Sequence, residues 1–394
     1  MQKIMPQKNK IIYFDNAATT PVRPAVLKVM QPYFSEQYGN PSSIYDLGEQ
    51  SKAAIKRARE QVARTLGADT EEIFFTGSGT EADNWALKGI AFANKIKGRH
   101  IITTSIEHHA VLNATQFLEE EGFKITYLPV DEFGVVKLDE LKKAIRKDTI
   151  LISVMFANNE IGTIEPIKEI GKIAKQKNIY FHSDAVQAIG HIPIDVEELG
   201  VDLLSLSAHK FNGPKGVGCL YIKNGTKIDP FIHGGGQERK MRAGTENVAG
   251  IVGLGKAIEI ATRDIKKKNK YLISLRERAL KGIIKKIPEV LLNGHRKERL
   301  PGNLNIGFKY IEGESILLLL NQEGICASTG SACTSGSLEP SHVLLAIGAS
   351  PEDAHGSLRL SFSETNTAEE IGRFLKVLPE IVKKLRLMSP LKKN

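Results

Sequence analysis

Ser207-Ala208-His209-Lys210 places an amine directly after an imidazole and close to a hydroxyl, and Asp184-Ala185-Val186-Gln187 lies upstream of it. These are the groups that hold pyridoxal phosphate. A lysine amine condenses with the cofactor's aldehyde as a Schiff base, and a carboxylate keeps the pyridine nitrogen protonated so that the ring withdraws electrons. A second reactive group, Cys333, stands near the other end of the chain in the Gly/Ser-rich run Ser328-Thr329-Gly330-Ser331-Ala332-Cys333-Thr334-Ser335-Gly336-Ser337. Small polar neighbours predict an accessible thiol, in contrast to Cys219 within the apolar Val217-Gly218-Cys219-Leu220. Access and thiolate character decide thiol reactivity, so Cys333 is the cysteine able to carry a sulfur atom from one place to another.

Other strings supply anion, proton and amide chemistry. Gly77-Ser78-Gly79-Thr80-Glu81 follows a predicted strand and opens a helix. Glycines let the backbone approach an anion, and the first turn of a helix offers unpaired N–H groups to a phosphate. As a plain turn, the same segment would use Thr80 as its N-cap. In Glu107-His108-His109-Ala110, a flat imidazole able to stack on a cofactor ring and move a proton is the better use for His108 than metal binding. His109 and His182 read as structural. The string HExxH and paired zinc cysteines are absent, so no metal site is expected. Asn158-Asn159-Glu160-Ile161-Gly162 offers amides just past a strand, or an Asx-built turn. His233-Gly234-Gly235-Gly236 has the form of an esterase oxyanion segment, but the Gly-x-Ser-x-Gly that such enzymes need does not occur.

The elements that must position these groups alternate along the chain. Apolar runs at Ile73-Phe75, Ile101-Thr104, Ile125-Leu128, Ile150-Met155, Tyr180-Phe181, Leu203-Leu206 and Val217-Ile222 predict strands. Helical periodicity lies between most of them, at Thr80-Ile96, Ala110-Glu121 and Ile167-Lys177, after a first helix within Ile44-Leu66. This predicts an α/β fold: a mainly parallel sheet with helices on both faces and its ligand at the carboxyl ends of the strands. From about Thr262 the texture changes to a Lys-rich helix, short strands and a final helix opened by the capping box Thr367-Ala368-Glu369-Glu370, with Pro379 expected to kink it. The expected division is a large domain over 17-262 and a smaller α+β domain formed by 1-16 and 263-394, the latter carrying the Cys333 loop.

Composition narrows the classes. The formal charge of +9 sits mostly on helical patterns such as Lys266-Lys267-Lys268-Asn269-Lys270, without interleaved aromatics, so it reads as solvated helix faces and no direct nucleic-acid binding is expected. No apolar run approaches the roughly 18 residues that span a bilayer, so no membrane association is expected. Three cysteines without CxxC spacing and a polar, basic Met1-Lys10 predict reduced thiols in the cytoplasm.

The chain resembles the cysteine desulfurases of the NifS/IscS type, within the class-V aminotransferases of the aspartate-aminotransferase-like fold type I. The resemblance runs over nearly the whole length. It rests on Tyr13-Phe14-Asp15-Asn16-Ala17-Ala18-Thr19-Thr20, Gly39-Asn40-Pro41-Ser42-Ser43, Gly79-Thr80-Glu81-Ala82-Asp83-Asn84 and the Asn158, Ser207 and Cys333 strings already given. Gly235-Gly236-Gln237-Glu238 and Arg242-Ala243-Gly244-Thr245-Glu246-Asn247 complete it. It implies removal of sulfur from L-cysteine, giving L-alanine and a persulfide on Cys333 for an acceptor such as an iron–sulfur scaffold or a tRNA-thiolation protein. Carried over by position, Lys210 forms the Schiff base, Asp184 pairs with the pyridinium nitrogen, His108 stacks on the ring and Gln187 bonds the ring hydroxyl. Gly79, Thr80, Ser207 and His209 form the phosphate cup, and Thr245 reaches the phosphate of a neighbouring subunit, which implies a homodimer. Asn159 and Arg359 take the substrate carboxylate. Ser183 and Ala243 stand where the family often has Thr and Ser. Selenocysteine lyases and aminotransferases share the fold; a non-catalytic scaffold or binding protein is the reading of another class.

Overall fold

The computed structural model describes residues 11–329 and 339–390. After a two-residue strand, β1 (Ile12–Tyr13), the chain builds its main sheet from β2 (Ile73–Thr76), β3 (His100–Thr104), β4 (Lys124–Leu128), β5 (Thr149–Ser153), β6 (Tyr180–Asp184), β7 (Leu203–Ser207) and β8 (Gly218–Ile222). Their spatial order is β2-β8-β7-β6-β5-β3-β4. From β7 to β4 every pair is parallel, while β8 runs antiparallel to both β7 and β2. Strands β2, β3, β5, β7 and β8 are buried at every position, which is why they appear in the sequence as short, mostly apolar runs with only small hydroxyl residues, a histidine or glycine interrupting them.

Both faces of the sheet are covered, and the side chains alternate accordingly. Phe75, Leu204 and Tyr221 join one core with helices Asp46–Leu66 and Val248–Thr262. Phe74, Leu203 and Leu220 join the other with helices Gly79–Asn94 and His109–Glu120. The expected strand ending at Phe181 runs on to Asp184, because polar His182, Ser183 and Asp184 are buried in the ladder despite their chemistry.

A third core gathers Ile12 and Phe14 with residues of helix Ile265–Lys286, strand β10 (Asn303–Phe308), strand β12 (Ser357–Ser361) and helix Ala368–Met388. Strand β9 (Val290–Asn293) completes an antiparallel sheet of order β12-β10-β9, and β1 pairs in parallel with β11 (Ile325–Cys326). We propose on this packing that the chain divides near Thr262, with the segment around Ile12 returning to the second unit. Val343, Leu344 and Ala354 pack instead against the main sheet's core. The capping box at Thr367 forms in both directions: Glu370 N–H donates to Thr367 Oγ1, and Thr367 N–H to Glu370 Oε2. The helix it opens continues through Pro379 to Met388, held on both sides of the proline by buried Leu378 and Val382. Among the described residues no helix is long and apolar enough to cross a membrane.

A bidentate ion pair ties the first face to the segment that follows the sheet. Arg59 donates to Glu238 Oε1 at 2.7 Å and Oε2 at 2.9 Å, and Phe75 N–H adds a third bond to Oε2 at 2.9 Å. Glu238, Arg239 and Lys240 all have positive φ, so this segment is strained and depends on such anchors. Arg59→Ala leaves the Glu238 carboxylate buried without its cation, and the expected loss is about 3–5 kcal/mol, read as a lower urea midpoint. A buried carboxyl elsewhere gives a pH signature. Glu165 Oε2 accepts Val136 N–H at 2.9 Å, Oε1 has no partner, and burial pushes the group up to about 8. A raised acid stabilises the fold below its ordinary pKa, and that contribution is lost as pH climbs through the folded value. The unfolding midpoint of the cofactor-free protein is therefore expected to fall between about pH 4.5 and 8, and less steeply in Glu165→Gln.

Candidate active site

Two close approaches place the site. A Cβ added at Gly79 would meet Val186 Cγ2 at 2.8 Å and Ser207 Cβ at 3.2 Å; one at Gly218 would meet the Ser78 backbone at 2.5 Å. Glycine at both positions lets the start of helix Gly79–Asn94 press against the ends of β6, β7 and β8. Ser78, not Thr80, caps the helix: its Oγ accepts Glu81 N–H at 3.0 Å. The alternative use of Thr80 as the cap is thus corrected, and Thr80, in the first turn, lines the cavity instead.

The carboxyl ends of β5, β6 and β7 meet that helix start around a cavity of about 430 Å³. Lys210, Asp184, His108, Gln187, Gly79, Thr80, Ser207, His209, Asn159 and Arg359 all line it. Of the expected residues, Thr245 is exposed and away from this cavity, and Cys333 lies outside the described residues. Asp184 ends β6 and Lys210 ends the short turn after β7, so adjacent parallel strands deliver both to one rim.

Lys210 Nζ donates to the carbonyls of Ala17 at 2.7 Å and Ala18 at 2.9 Å, and Gln187 Nε2 also donates to Ala17 O at 3.0 Å. The Asp15-to-Thr20 segment is therefore part of the site. Thr20 N–H and Oγ1 both donate to His209 O, and Thr19 Oγ1 lies 3.1 Å from His209 Nδ1. Arg359, on β12, reaches the cavity from the other core. Its Nη2 donates to Asp15 Oδ1 at 2.8 Å and Nη1 to Asn159 O at 3.1 Å, while buried Nε has no partner among the described residues. Asp15 carries no local mark of this role in the sequence. No spacing rule links positions 344 residues apart.

The electrostatics follow from burial. Asp184 is raised to about 6 by loss of solvent, against the pull of Val186 N–H and Lys210. His108 is lowered to about 4 by burial and by Lys210, so its ring is neutral near neutral pH. Ala110 N–H donates to His108 Nδ1 at 3.1 Å, which assigns the ring hydrogen to Nε2. His182, expected as structural, is fully buried between Ser153 Oγ and Ser205 Oγ at 2.9 and 3.0 Å. His109 packs its ring 4.9 Å from His342. Two further buried acids, Asp83 and Glu107, went unassigned in the sequence because nothing marks a mid-helix Asp as inward-facing except the apolar stripe around it.

These residues fit pyridoxal phosphate. The cavity lining includes a helix N-terminus, hydroxyls and an imidazole suited to a dianionic phosphate, together with a buried carboxylate for the ring nitrogen and an amine for the aldehyde.

Residues 12–374 match the family model Aminotransferase class-V. The chain is 64% identical over 384 residues to a cysteine desulfurase IscS from Methanosarcina thermophila, covering 98% of this chain and 95% of that protein. It is 62% identical over 385 residues to a cysteine desulfurase IscS from Clostridium botulinum, covering 97% of each. The solved structure of a NifS-like protein superposes with a TM-score of 0.90 at 44% identity, covering 95% of this chain and all of the other. Fold, cavity and sequence together place this chain in the class-V aminotransferase family, whose members depend on pyridoxal phosphate.

Proposed function

We propose that the chain is a cysteine desulfurase, taking sulfur from L-cysteine, releasing L-alanine and holding the sulfur on Cys333 for transfer. The observation that carries this reading is one cavity lined by an amine, a buried carboxylate, a neutral imidazole and a buried guanidinium: Lys210, Asp184, His108 and Arg359. The kinship to cysteine desulfurases at more than half identity supports the choice of substrate.

Pyridoxal phosphate, when bound, supplies the electron sink that makes an amino acid's Cα–H acidic enough to leave at neutral pH. Lys210 would hold it covalently through Nζ, with Asp184 at the ring nitrogen, Gln187 at the ring hydroxyl, and Gly79, Thr80, Ser207 and His209 at the phosphate. Displaced by substrate, the Lys210 amine is the base that takes the Cα proton. His108 is a neutral ring whose Nε2–H donates a hydrogen bond to the reacting groups, and it can pass on a proton only after taking one up; positioned acid–base groups contribute about 10²–10⁴-fold. Asp15 and the Asn159 carbonyl hold the Arg359 guanidinium flat, and its remaining donors, with the Asn159 amide, take the substrate carboxylate. The Cys333 thiolate attacks the substrate sulfur. An S–S bond forms as the Cβ–S bond breaks, the released electron pair stays on Cβ and is protonated, and no outside oxidant is required.

Thr245 lies on the surface, away from its own cavity, which supports a homodimer in which it reaches the partner subunit's cofactor phosphate. An iron–sulfur scaffold protein in the cytoplasm is the acceptor we favour.

The test is incubation of the purified holoenzyme with L-cysteine and a reductant, assaying alanine and sulfide together. Equal yields and one extra sulfur on Cys333 by mass spectrometry are expected. Cys333→Ala should keep the cofactor's visible absorption but lose at least about 100-fold in alanine release; a full rate would refute the nucleophile. Lys210→Ala should leave the cofactor without its covalent link, seen as loss of borohydride-fixable label. Arg359→Lys should raise KM for L-cysteine by about 10- to 100-fold with a smaller change in kcat, because an ammonium cannot form the paired bonds of a guanidinium.

A further inference from the structure

Beside Asp184 the protein buries a second carboxyl that has no lysine or arginine partner among the described residues. Asp83 lies one turn into helix Gly79–Asn94, 1% exposed, between the fully buried Ala82, Trp85 and Ala86. It lines the same cavity as Asp184. An ionised carboxylate in such surroundings costs several kcal/mol unless paired. Its Oδ1 has no hydrogen-bond partner. Among the described residues, the group able to carry positive charge within 4 Å of it is His182, whose Nε2 is 3.6 Å from that oxygen, beyond hydrogen-bond reach. Both nitrogens of His182 are already engaged by the Ser153 and Ser205 hydroxyls, so the ring needs no proton from Asp83 to be satisfied. The charges that act on Asp83 from its neighbours are both negative, Asp184 on β6 and Glu107 before helix His109–Glu120, with only the Ser205 hydroxyl opposing them. Glu107 in turn has Oε1 bonded by Thr104 Oγ1 at 2.7 Å and Met155 N–H at 2.9 Å, and its Oε2 is buried without a partner.

Three acids thus crowd one region, and among the described residues Lys210 is the cation whose charge acts on Asp184. We propose that Asp83 is a positioning residue: it stands as a neutral carboxylic acid beside Asp184, so that the one negative charge of the group stays on Asp184, facing the cofactor's ring nitrogen. This rests on the assignment of Asp184 to that nitrogen. Buried groups of like charge cannot all ionise, and the one with the best partners keeps the charge. Asp184 has them, in Val186 N–H at 2.9 Å and the nearby Lys210 amine. Burial and the two acids push Asp83 well above the usual carboxyl range, and burial drives His182 down to about 3.

The experiment reads the cofactor and not turnover. Holoenzyme carrying Asp83→Asn, Asp83→Ala or Asp184→Asn is titrated with pH while the cofactor's visible band is followed, and the dissociation of pyridoxal phosphate is measured for each. Asparagine mimics a neutral acid, so Asp83→Asn is expected to keep the band's midpoint within about half a unit of the parent. If Asp83 were ionised, removing that anion would lower the midpoint by about one unit or more, and that result overturns the proposal. Asp83→Ala removes the group that backs Asp184 and is expected to weaken cofactor binding roughly tenfold or more; unchanged binding overturns it. Infrared spectra of protein labelled with ¹³C-aspartate keep the question open to refutation even if a variant fails to fold. The parent should show the carbonyl band of a protonated aspartic acid at about pH 8, and its absence overturns the proposal. Should Asp184→Asn leave both band and binding unaltered, the ring-nitrogen assignment falls and takes this proposal with it. Failure of the Asp83 variants alone leaves Asp184 in place.

Discussion

Backbone contact between a helix start and a sheet governs this site. Gly79 and Gly218 remove the side chains that would hold helix Gly79–Asn94 away from β6, β7 and β8. With that contact made, the helix's unpaired N–H groups, the hydroxyl of Ser207 and the imidazole of His209 converge without any of them lying in an irregular loop. A phosphate held there is held by fixed dipoles, so little reorganisation accompanies binding. Asn159, Asp184, Gln187 and Lys210 take their positions from the ends of strands in the same sheet, while Arg359 enters from β12 of the other core.

The second constraint is the early segment from Ile12 to Thr20. It pairs with β11 in one core, places Asp15 against Arg359, and then supplies the Ala17 and Ala18 carbonyls to Lys210 and the Thr20 hydroxyl to the turn after β7. A short stretch of backbone therefore spans the two cores and touches both the amine and the guanidinium. Motion of one core relative to the other would alter both contacts together, a coupling built of hydrogen bonds to rigid elements.

Water exclusion explains the electrostatic pattern. Carboxyls at Asp83, Glu107, Glu160, Glu165 and Asp184 are all raised, and His108, His182 and His191 are all lowered, in each case chiefly by burial. The same dry surroundings make the remaining charges effective, because a carboxylate opposite a ring cation gains far more in a low dielectric than in water. Glu160 shows how such an acid is accommodated: it accepts the Ser341 hydroxyl and feels Arg359.

By itself the sequence determined the alternation of elements and the residue types that carry chemistry. Short, mostly apolar runs alternating with helical periodicity read as strands buried on both faces, and Lys210, Asp184, His108 and Thr80 fall at or shortly after their ends, where parallel strands present their ligand. Local rules also sufficed for the capping box at Thr367, because its partners are three residues apart. Tertiary structure decided what depends on distant partners. It decided that Ser78 and not Thr80 caps the helix, that Asp15 steadies Arg359, and that Pro379 is carried inside a continuous helix by packing on both sides. It also decided that the polar run from His182 to Asp184 belongs to a buried strand and that Asp83 faces inward behind it. In each case the energy comes from loss of water or from a bond between residues far apart in the chain, and neither leaves a periodic trace in the order of amino acids.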